Sequence, residues 1–397
     1  MSLFHPPHTL RLDSGAELAF VTVGYETWGR LNAEGSNCIL IAHALTGDAH
    51  VAHHPPEDCG AEDPRAGWWE GLVGPGAAID TRRHFVVCSN VLGGCRGSTG
   101  PLSLNPATGR PYGPDFPDIS IRDMVRVQRH LLAALGVRRV AAVIGGSMGG
   151  MQALEWALMY PGLVEQVVAI GAPGRSYPQA VAYNEVMRLA IQTDPEWRGG
   201  HYAPGAGPAG GLALARMLGM ITYQNDLSMR RKFFRENAAD SARNVIDYLH
   251  YQGRKLVQRF DANTYVVLTR AMDRYDLGSG RGGWERAFRE LAAGRSSEEP
   301  ASTPGWASRP GASQEPAGAP GPRSETAPTP PQIHLVGIRT DILYPPYQVR
   351  ELATALQRAG VPAYYHELDS SVGHDGFLVD SGKMAAILSQ VLHKEAE

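Results

Sequence analysis

The stretch Val140-Ala-Ala-Val-Ile-Gly-Gly-Ser-Met-Gly-Gly150 decides the fold. Its apolar run, 140–144, has the length of a buried strand, and the apolar positions 151, 154 and 158 share one helical face before Pro161. Between them, residues 145–149 match G-x-S-x-G, a motif that places a serine on a strained turn between a strand and a helix. This turn lifts the serine hydroxyl clear of the sheet and next to the N–H groups of a helix N-terminus. The pattern therefore predicts that Ser147 is a nucleophile.

The bare motif is also compatible with a glycine-rich turn that holds an incidental serine. Two phosphate-binding loops do not fit it. A dinucleotide fingerprint starting at Gly145 requires glycine two positions later, where Ser147 stands. A Walker loop requires a lysine directly after it, and Lys232 is the first lysine of the chain.

Composition narrows the class of protein. A chain of 397 residues can form one large domain with an insertion, and its net charge of −3 gives no electrostatic reason to expect nucleic acid. No apolar run has the length of a membrane span, and the N-terminus lacks a signal-peptide pattern. The four cysteines form no C-x-x-C pair, and Cys38 and Cys88 lie in strand-like runs. We expect reduced core thiols and a soluble protein of the cytoplasm.

Strand-like and helix-like segments alternate along much of the chain, which predicts an α/β fold with a mostly parallel sheet and flanking helices. The expected core comprises residues 1–174 and 332–397. Residues 175–293 contain helical patterns without a clear strand, and we interpret them as an inserted helical lid. Residues 294–331 are of low complexity, with nine of the 29 prolines at 300–331. Such a composition cannot bury a core, so we expect a disordered linker.

A histidine-rich loop follows the first buried strand. Its spacing matches no regular pair of zinc ligands, and no helix with acidic or histidine partners follows it. We therefore expect no metal and no cofactor, and interpret the loop as solvated and close to an active site. The residues concerned are His43, His50, His53, His54 and Cys59.

Three residues with complementary chemistry each follow a predicted strand. Ser147, Asp341 and His374 occur in the order nucleophile, acid and base, which is the order of the α/β-hydrolase fold. An imidazole accepts the serine proton, and a carboxylate fixes the imidazole tautomer. Since the carboxyl ends of parallel strands lie at one edge of a sheet, these residues are expected to converge there.

Longer motifs give the chain a close resemblance to the homoserine O-acetyltransferases, α/β-hydrolase-fold enzymes of methionine biosynthesis. The resemblance covers nearly the whole chain except 294–331, a low-complexity insert that departs from the compact family pattern. The motifs include His-Ala-Leu-Thr-Gly at 43–47, Gly-Trp-Trp at 67–69, Ser-Asn-Val-Leu-Gly-Gly-Cys at 89–95 and Arg-Phe-Asp-Ala-Asn at 259–263.

The resemblance implies a double displacement in which Ser147 takes the acetyl group of acetyl-CoA, a co-substrate, and passes it to L-homoserine. It implies an oxyanion hole formed by the N–H groups of Met148 and Leu45. It also implies that Arg216 holds the substrate carboxylate, that Asp375 holds the ammonium group, and that Tyr223 lines the pocket. A homodimer formed through lid helices is implied as well.

Other activities remain compatible with these motifs. An esterase or thioesterase of the same fold would use the same triad but needs no clamp for an amino acid. A transferase that uses succinyl-CoA, or serine as the acceptor, would differ at only a few pocket residues. A non-catalytic binding protein of this fold is disfavoured by the intact triad.

Overall fold

The computed structural model describes residues 1–54, 66–298 and 329–392. Within these ranges, seven strands form the central sheet, in the spatial order β7-β6-β5-β4-β2-β3-β1. All neighbouring pairs are parallel except β1 and β3. The predicted α/β fold with a mostly parallel sheet is confirmed. The strands are β1 (Tyr25–Trp28), β2 (Cys38–Ala42), β3 (Phe85–Ser89), β4 (Val140–Gly146), β5 (Val164–Ile170), β6 (Gln332–Ile338) and β7 (Ala363–Leu368).

Side chains from successive residues of the central strands enter two cores, one on each face of the sheet. In β2, Leu40 packs in the core that contains Leu154, whereas Ile41 packs in the core that contains Leu388. All five residues of β2 are buried, because helices or loops cover both faces. The continuous apolar run in the sequence follows from this burial on both sides.

Helices of the core cover both faces of the sheet. A capping box starts α1 (Ile121–Ala134): the side chain of Ser120 accepts from the N–H of Asp123, whose carboxylate accepts from the N–H of Ser120. The core helices are α1 (Ile121–Ala134), α2 (Met148–Met159), α9 (Pro346–Arg358), α10 (Gly376–Val379) and α11 (Ser381–Leu392).

Between Ile170 of β5 and Gln332 of β6, the described residues form helices and no named strand. Helix α4 (Ala209–Tyr223) packs between α3 (Pro178–Gln192) and α6 (Ala238–Val257). The sequence predicts helices at 181–192, 211–222, 241–252, 264–275 and 284–292, and the structure has a helix at each of these places, with ends that differ by a few residues. It does not predict α5 (Asp226–Phe233) or the 3₁₀ segment Pro195–Gly200. The lid helices are α3 (Pro178–Gln192), α4 (Ala209–Tyr223), α5 (Asp226–Phe233), α6 (Ala238–Val257), α7 (Ala262–Asp273) and α8 (Trp284–Ala292).

Short strands outside the central sheet belong mainly to the N-terminal region and to the loops beside it. Leu10–Arg11 pairs with Glu17–Leu18 around a turn at 13–15. A 3₁₀ turn, Gly113–Asp115, precedes α1. The remaining short strands are Ser2–Phe4, Val21–Thr22, Val73–Gly74, Ile79–Asp80, Leu104–Asn105 and Arg110–Pro111.

The segment that follows the last lid helix contacts the core. The N–H of Ser297 donates to the carbonyl of Leu158 at 3.0 Å, and Arg126 of α1 pairs with Glu298 at 2.6 Å. Most of the predicted disordered linker, residues 299–328, lies outside the described residues. In the part of the chain that the structure describes, no helix has the length and apolarity needed to span a membrane.

Candidate active site

Ser147 occupies a strained turn at the carboxyl end of β4. Its backbone has φ 57° and ψ −124°, in the left-handed region that non-glycine residues rarely adopt. Its N–H donates to the carbonyl of Ile170 at 2.8 Å, which holds the turn to β5. A Cβ atom on Gly149 would lie 2.0 Å from the carbonyl oxygen of Ala42, so this position of the motif has no room for a side chain.

Asp341 and His374 form a buried hydrogen-bonded pair at the same edge of the sheet. The ring nitrogen Nδ1 of His374 lies 2.6 Å from Oδ2 of Asp341. The other carboxylate oxygen accepts from the N–H groups of Leu343 and Tyr344, at 2.8 and 3.0 Å. Nδ1 therefore carries the proton, which leaves Nε2 as the basic nitrogen. Within the described residues Nε2 has no hydrogen-bond partner, so it is available to accept a proton from a hydroxyl.

Two opposing influences set the pKa of His374. Burial lowers this pKa, but the charge of Asp341, its hydrogen bond and the charge of Asp375 together outweigh burial, and the net pKa is raised. The surroundings thus stabilise the imidazolium that forms when His374 takes a proton. The rings of Tyr344, Phe377 and Tyr223 surround the imidazole at centroid distances of 5.3, 5.8 and 6.0 Å.

The loop that follows β2 carries Leu45, the predicted second oxyanion residue, and several groups hold it. His43 is buried, and burial lowers its pKa, so the ring is neutral. Its Nδ1 donates to the carbonyl of Ala44 at 2.8 Å, while its Nε2 accepts from the N–H of Val91 at 3.1 Å. Arg259 donates to the carbonyl of Thr46 at 2.7 Å. The expectation that the histidine-rich loop is solvated is therefore wrong for His43, and also for His50, which is buried too. Neither His43 nor Arg259 received a catalytic role from the sequence, although both lie within the family motifs.

A chain of buried amides connects this loop to the helix that carries Met148. Gln152 donates to the carbonyls of His43 and Met148, at 3.3 and 3.1 Å. Gln128 donates to Gln152 at 2.7 Å, and the indole of Trp156 donates to Gln128 at 2.8 Å. These contacts fix the position of Leu45 relative to the N-terminus of α2. These side-chain contacts could not be predicted from the sequence, because their partners come from different elements.

Opposite charges approach this edge from the lid and from the turn after β7. Arg216 of α4 lies 3.3 Å from the hydroxyl of Thr46, and its guanidinium lies 5.7 Å from the ring centroid of Tyr223. The N–H of Asp375 donates to the carbonyl of Tyr223 at 2.9 Å. Burial raises the pKa of Asp375, against the lowering effects of Arg216, His374 and Lys232.

Arg216 and Asp375 influence each other electrostatically without forming an ion pair. Among the described residues no salt bridge joins them, and the buried Nε of Arg216 has no hydrogen-bond partner. An unpaired cation and a separate anion next to a nucleophile suit a small zwitterion. Contacts connect several of the predicted residues: Asp341 with His374, the ring of His374 with Tyr223, and Tyr223 with Arg216 and Asp375. Ser147 and Met148 directly follow β4, and Leu45 precedes Thr46, which contacts Arg216. Among the described residues no hydrogen bond joins Ser147 to His374.

The chain is similar to known proteins over nearly its whole length. The family model described as "alpha/beta hydrolase fold" matches residues 37–381. The homoserine O-acetyltransferase of Carboxydothermus hydrogenoformans is 48% identical, over 96% of this chain and 92% of that protein. The homoserine O-acetyltransferase of Symbiobacterium thermophilum is 49% identical, over 94% of this chain and 89% of that protein.

Two solved structures show the same architecture. Homoserine O-acetyltransferase from Bacillus anthracis aligns with a TM-score of 0.81 at 25% identity, covering 98% of this chain and 96% of that one. Esterase E22 aligns with a TM-score of 0.79 at 28% identity, covering 99% of both chains. The structural similarity therefore includes both a transferase and an esterase.

Proposed function

We propose a reaction, and the roles of the residues that perform it, from the premise that this chain belongs to the homoserine O-acetyltransferase family of the α/β-hydrolase fold. The chain is an acyltransferase of that family, and its reaction moves an acetyl group from acetyl-CoA to the hydroxyl of L-homoserine. The products are O-acetyl-L-homoserine and CoA, which places the enzyme in methionine biosynthesis. The observation that carries the assignment is the separated Arg216 and Asp375 next to the triad.

In the first half-reaction, Nε2 of His374 takes the proton of the Ser147 hydroxyl as Oγ attacks the thioester carbonyl. The bond between carbonyl carbon and sulfur then breaks, and the CoA thiolate receives the proton from His374. The acetyl group remains on Ser147 as an ester. Asp341 keeps the proton of His374 on Nδ1 and stabilises the transient imidazolium.

The negative charge of each tetrahedral intermediate falls on the former carbonyl oxygen. We assign its stabilisation to the N–H groups of Met148 and Leu45. The contacts of His43, Arg259 and Gln152 support this assignment, because they fix the loop before any substrate arrives. Donors held in place in this way stabilise the transition state without reorganising during the reaction.

In the second half-reaction the acceptor lies between the lid and the turn after β7. Arg216 binds its carboxylate, Asp375 binds its ammonium group, and Tyr223 lines the pocket between them. His374 takes the proton of the acceptor hydroxyl, whose oxygen attacks the acetyl ester. The Ser147 oxygen leaves and recovers the proton. The lid helices keep water away from the acetyl-enzyme, which otherwise would hydrolyse.

The test is the mass of the intact protein after brief exposure to acetyl-CoA. Wild type should gain one acetyl group, and homoserine should then remove it. Ser147→Ala should gain none and should lose at least about a thousandfold in rate, because the nucleophile is absent. Acetylation of Ser147→Ala at the same rate as wild type would contradict the assignment.

Esterase activity is the second candidate, and the similarity to esterase E22 is the observation that favours it. Water and homoserine would compete for the same acetyl-enzyme. The ratio of O-acetylhomoserine to acetate, measured over a range of homoserine concentrations, separates the two activities. A transferase gives mainly the amino-acid ester once homoserine saturates the site, whereas an esterase gives acetate throughout.

A homodimer formed through the lid is also part of the proposal. Large apolar side chains are exposed on the outer lid helices, and the N-terminal half of α6 carries exposed or half-buried residues. Such a surface is typical of a protein interface. Comparing the sedimentation of wild type with that of Ile246→Glu tests whether this surface forms the dimer. The exposed apolar residues of the lid are Val186, Leu189, Leu214, Ile221, Leu227, Phe234, Ile246 and Tyr251.

We further propose a cytoplasmic location. The described cysteines are free thiols, and Cys38 and Cys88 are buried within strands of the sheet. Proteins of reducing compartments keep such thiols unpaired.

A further inference from the structure

We propose that Glu26, His50 and His54 form a binding site for one divalent transition-metal ion of the zinc class, outside the triad. Within the described residues, these three side chains form the one group of potential metal ligands that converges. The donor set, two imidazole nitrogens and one carboxylate oxygen, is one that such ions prefer. From the sequence we expected no metal, since the acidic ligand precedes His50 by 24 positions and His54 by 28 and lies on another element, where local spacing does not reveal it.

The donor atoms already lie near the spacing that a metal requires. Oε2 of Glu26 lies 2.9 Å from Nδ1 of His50 and 2.9 Å from Nε2 of His54. Metal–ligand bonds of about 2.0–2.2 Å place neighbouring ligand atoms about 3 Å apart. All three donor atoms lie within 4.8 Å of one another, so binding requires mainly a closer approach of the two imidazoles.

Two of the three ligands are held by the surrounding structure. The side chain of His50 is only 5% exposed, and the backbone N–H of His50 donates to the carboxylate of Asp48 at 3.1 Å. The segment after it is tied down by the N–H of Trp69, which donates to the carbonyl of Val51 at 2.9 Å. Glu26 is part of strand β1, which pairs with β3. A fixed His50 and Glu26 lower the entropy lost when an ion binds.

Stacking on an aromatic ring holds the third ligand. The ring of His54 lies parallel to that of Trp28, with centroids 4.8 Å apart and planes 4° apart. Trp28 and Glu26 are two residues apart on β1, so their side chains point to the same face of the strand. The strand therefore supplies one ligand and the surface that orients another.

The site would act as a structural clamp. The loop from His43 to His54 carries Leu45, which we assign to the oxyanion hole, near its start and the two histidine ligands toward its far end. An ion held by Glu26 would attach this far end to the edge strand of the sheet. No step of the acetyl transfer passes through the ion, so the metal site and the proposed reaction can fail independently.

The experiment is a titration of untagged protein, stripped with EDTA and dialysed, with Zn²⁺ by calorimetry and with Co²⁺ by absorption. We expect one ion per chain in wild type, with a Co²⁺ spectrum that shows nitrogen and oxygen ligands. His54→Ala and Glu26→Gln should each weaken Zn²⁺ binding by at least about tenfold. Zn²⁺ should also raise the melting temperature of wild type but not that of His54→Ala.

The matched control is His53→Ala. His53 is an exposed histidine of the same loop, and its ring contacts Glu70 rather than Glu26. This variant should bind Zn²⁺ within about twofold of wild type. His54→Gln, with an unchanged circular dichroism spectrum, replaces His54→Ala if that variant does not fold. Failure of wild type to bind Zn²⁺ at micromolar concentration, or equal weakening by His53→Ala and His54→Ala, would overturn the proposal.

Discussion

The backbone of Ser147 stores strain that the rest of the chain maintains. A non-glycine residue in a sparsely populated conformation costs roughly 1–3 kcal/mol. Its hydrogen bond to Ile170 and the close contact of Gly149 with Ala42 keep the turn in this state. The hydroxyl is therefore in position before substrate binds, and the strain is linked to the proposed catalysis.

Asp375 should influence the pH dependence of the first half-reaction. Its charge contributes to the raised pKa of His374, so Asp375→Asn should lower that pKa. Because His374 acts as a base only when it is neutral, the acid limb of the rate of acetyl-enzyme formation should move to lower pH. Stopped-flow measurement of CoA release between pH 5 and pH 9, about two units either side of neutral, checks this. An acid limb that stays in place or moves to higher pH would contradict the assigned electrostatics.

Arg216 should act mainly in the second half-reaction. Removing a charged hydrogen bond to the acceptor carboxylate costs about 2 kcal/mol, or about thirtyfold in rate. Arg216→Ala should therefore form the acetyl-enzyme nearly as fast as wild type and accumulate it in the presence of homoserine. Arg254→Ala, at an exposed position of α6, is the control and should behave as wild type. An equal loss of rate in both half-reactions would indicate that Arg216 has a structural role.

At the scale of elements, the connection between lid and core sets how much of the low-complexity segment can be removed. The sequence alone predicts that 296–330 is dispensable. The structure places Ser297 and Glu298 in contact with the core, so the dispensable part is expected to begin after them.

A deletion series tests this boundary. Replacing 299–328 with a short Gly-Ser linker should leave activity and melting temperature near those of wild type. Removing 296–330 should lower the melting temperature, because the Arg126–Glu298 ion pair and the hydrogen bond of Ser297 are lost. Thermal scans and acetyl-transfer assays of both variants measure the difference. Loss of activity in the shorter deletion would show that its residues contribute to the site.

Elements with a strong periodic or apolar pattern could be predicted from the sequence, whereas contacts between elements could not. The run at Cys38–Ala42 and the capping box at Ser120 are local signals, and the structure has both. Helix α5 was missed because its eight residues are mainly polar and exposed. The chain from Trp156 through Gln128 to His43 depends on three elements meeting in space, which no spacing along the sequence reveals.

At the scale of the whole molecule, the sheet and the lid form opposite walls of one site. Ser147, Asp341 and His374 follow the carboxyl ends of β4, β6 and β7, while Arg216 lies on α4 of the lid. Gly373, with φ +92°, lets the turn before His374 approach the lid backbone, where a Cβ would lie 2.8 Å from Gln224. The turn that carries His374 is thus in direct contact with the lid.

The choice of substrates follows from the dimensions and charges of this site. Arg216 and Asp375 would fix both ends of an amino acid, so the length of its side chain decides whether the hydroxyl reaches the acetyl carbon. Serine is one methylene shorter than homoserine. Its kcat/KM should be lower by a factor that corresponds to about 1–3 kcal/mol of binding free energy, and misalignment of its hydroxyl should increase the loss. A succinyl group would require a cation on the donor side. Arg96, which lines a cavity of about 250 Å³ together with Arg259, is the candidate that we test.

The test compares kcat/KM for acetyl-CoA and succinyl-CoA, each with homoserine and with serine. Acetyl-CoA with homoserine should give the highest value, because the exposed Arg96 is well hydrated and gains little from a succinyl carboxylate. Arg96→Ala should leave that value nearly unchanged and should lower any residual rate with succinyl-CoA. A higher value for succinyl-CoA, or for serine, would change the substrate assignment. The fold and the triad would stand in either case, because neither depends on which acyl group or acceptor the pocket selects.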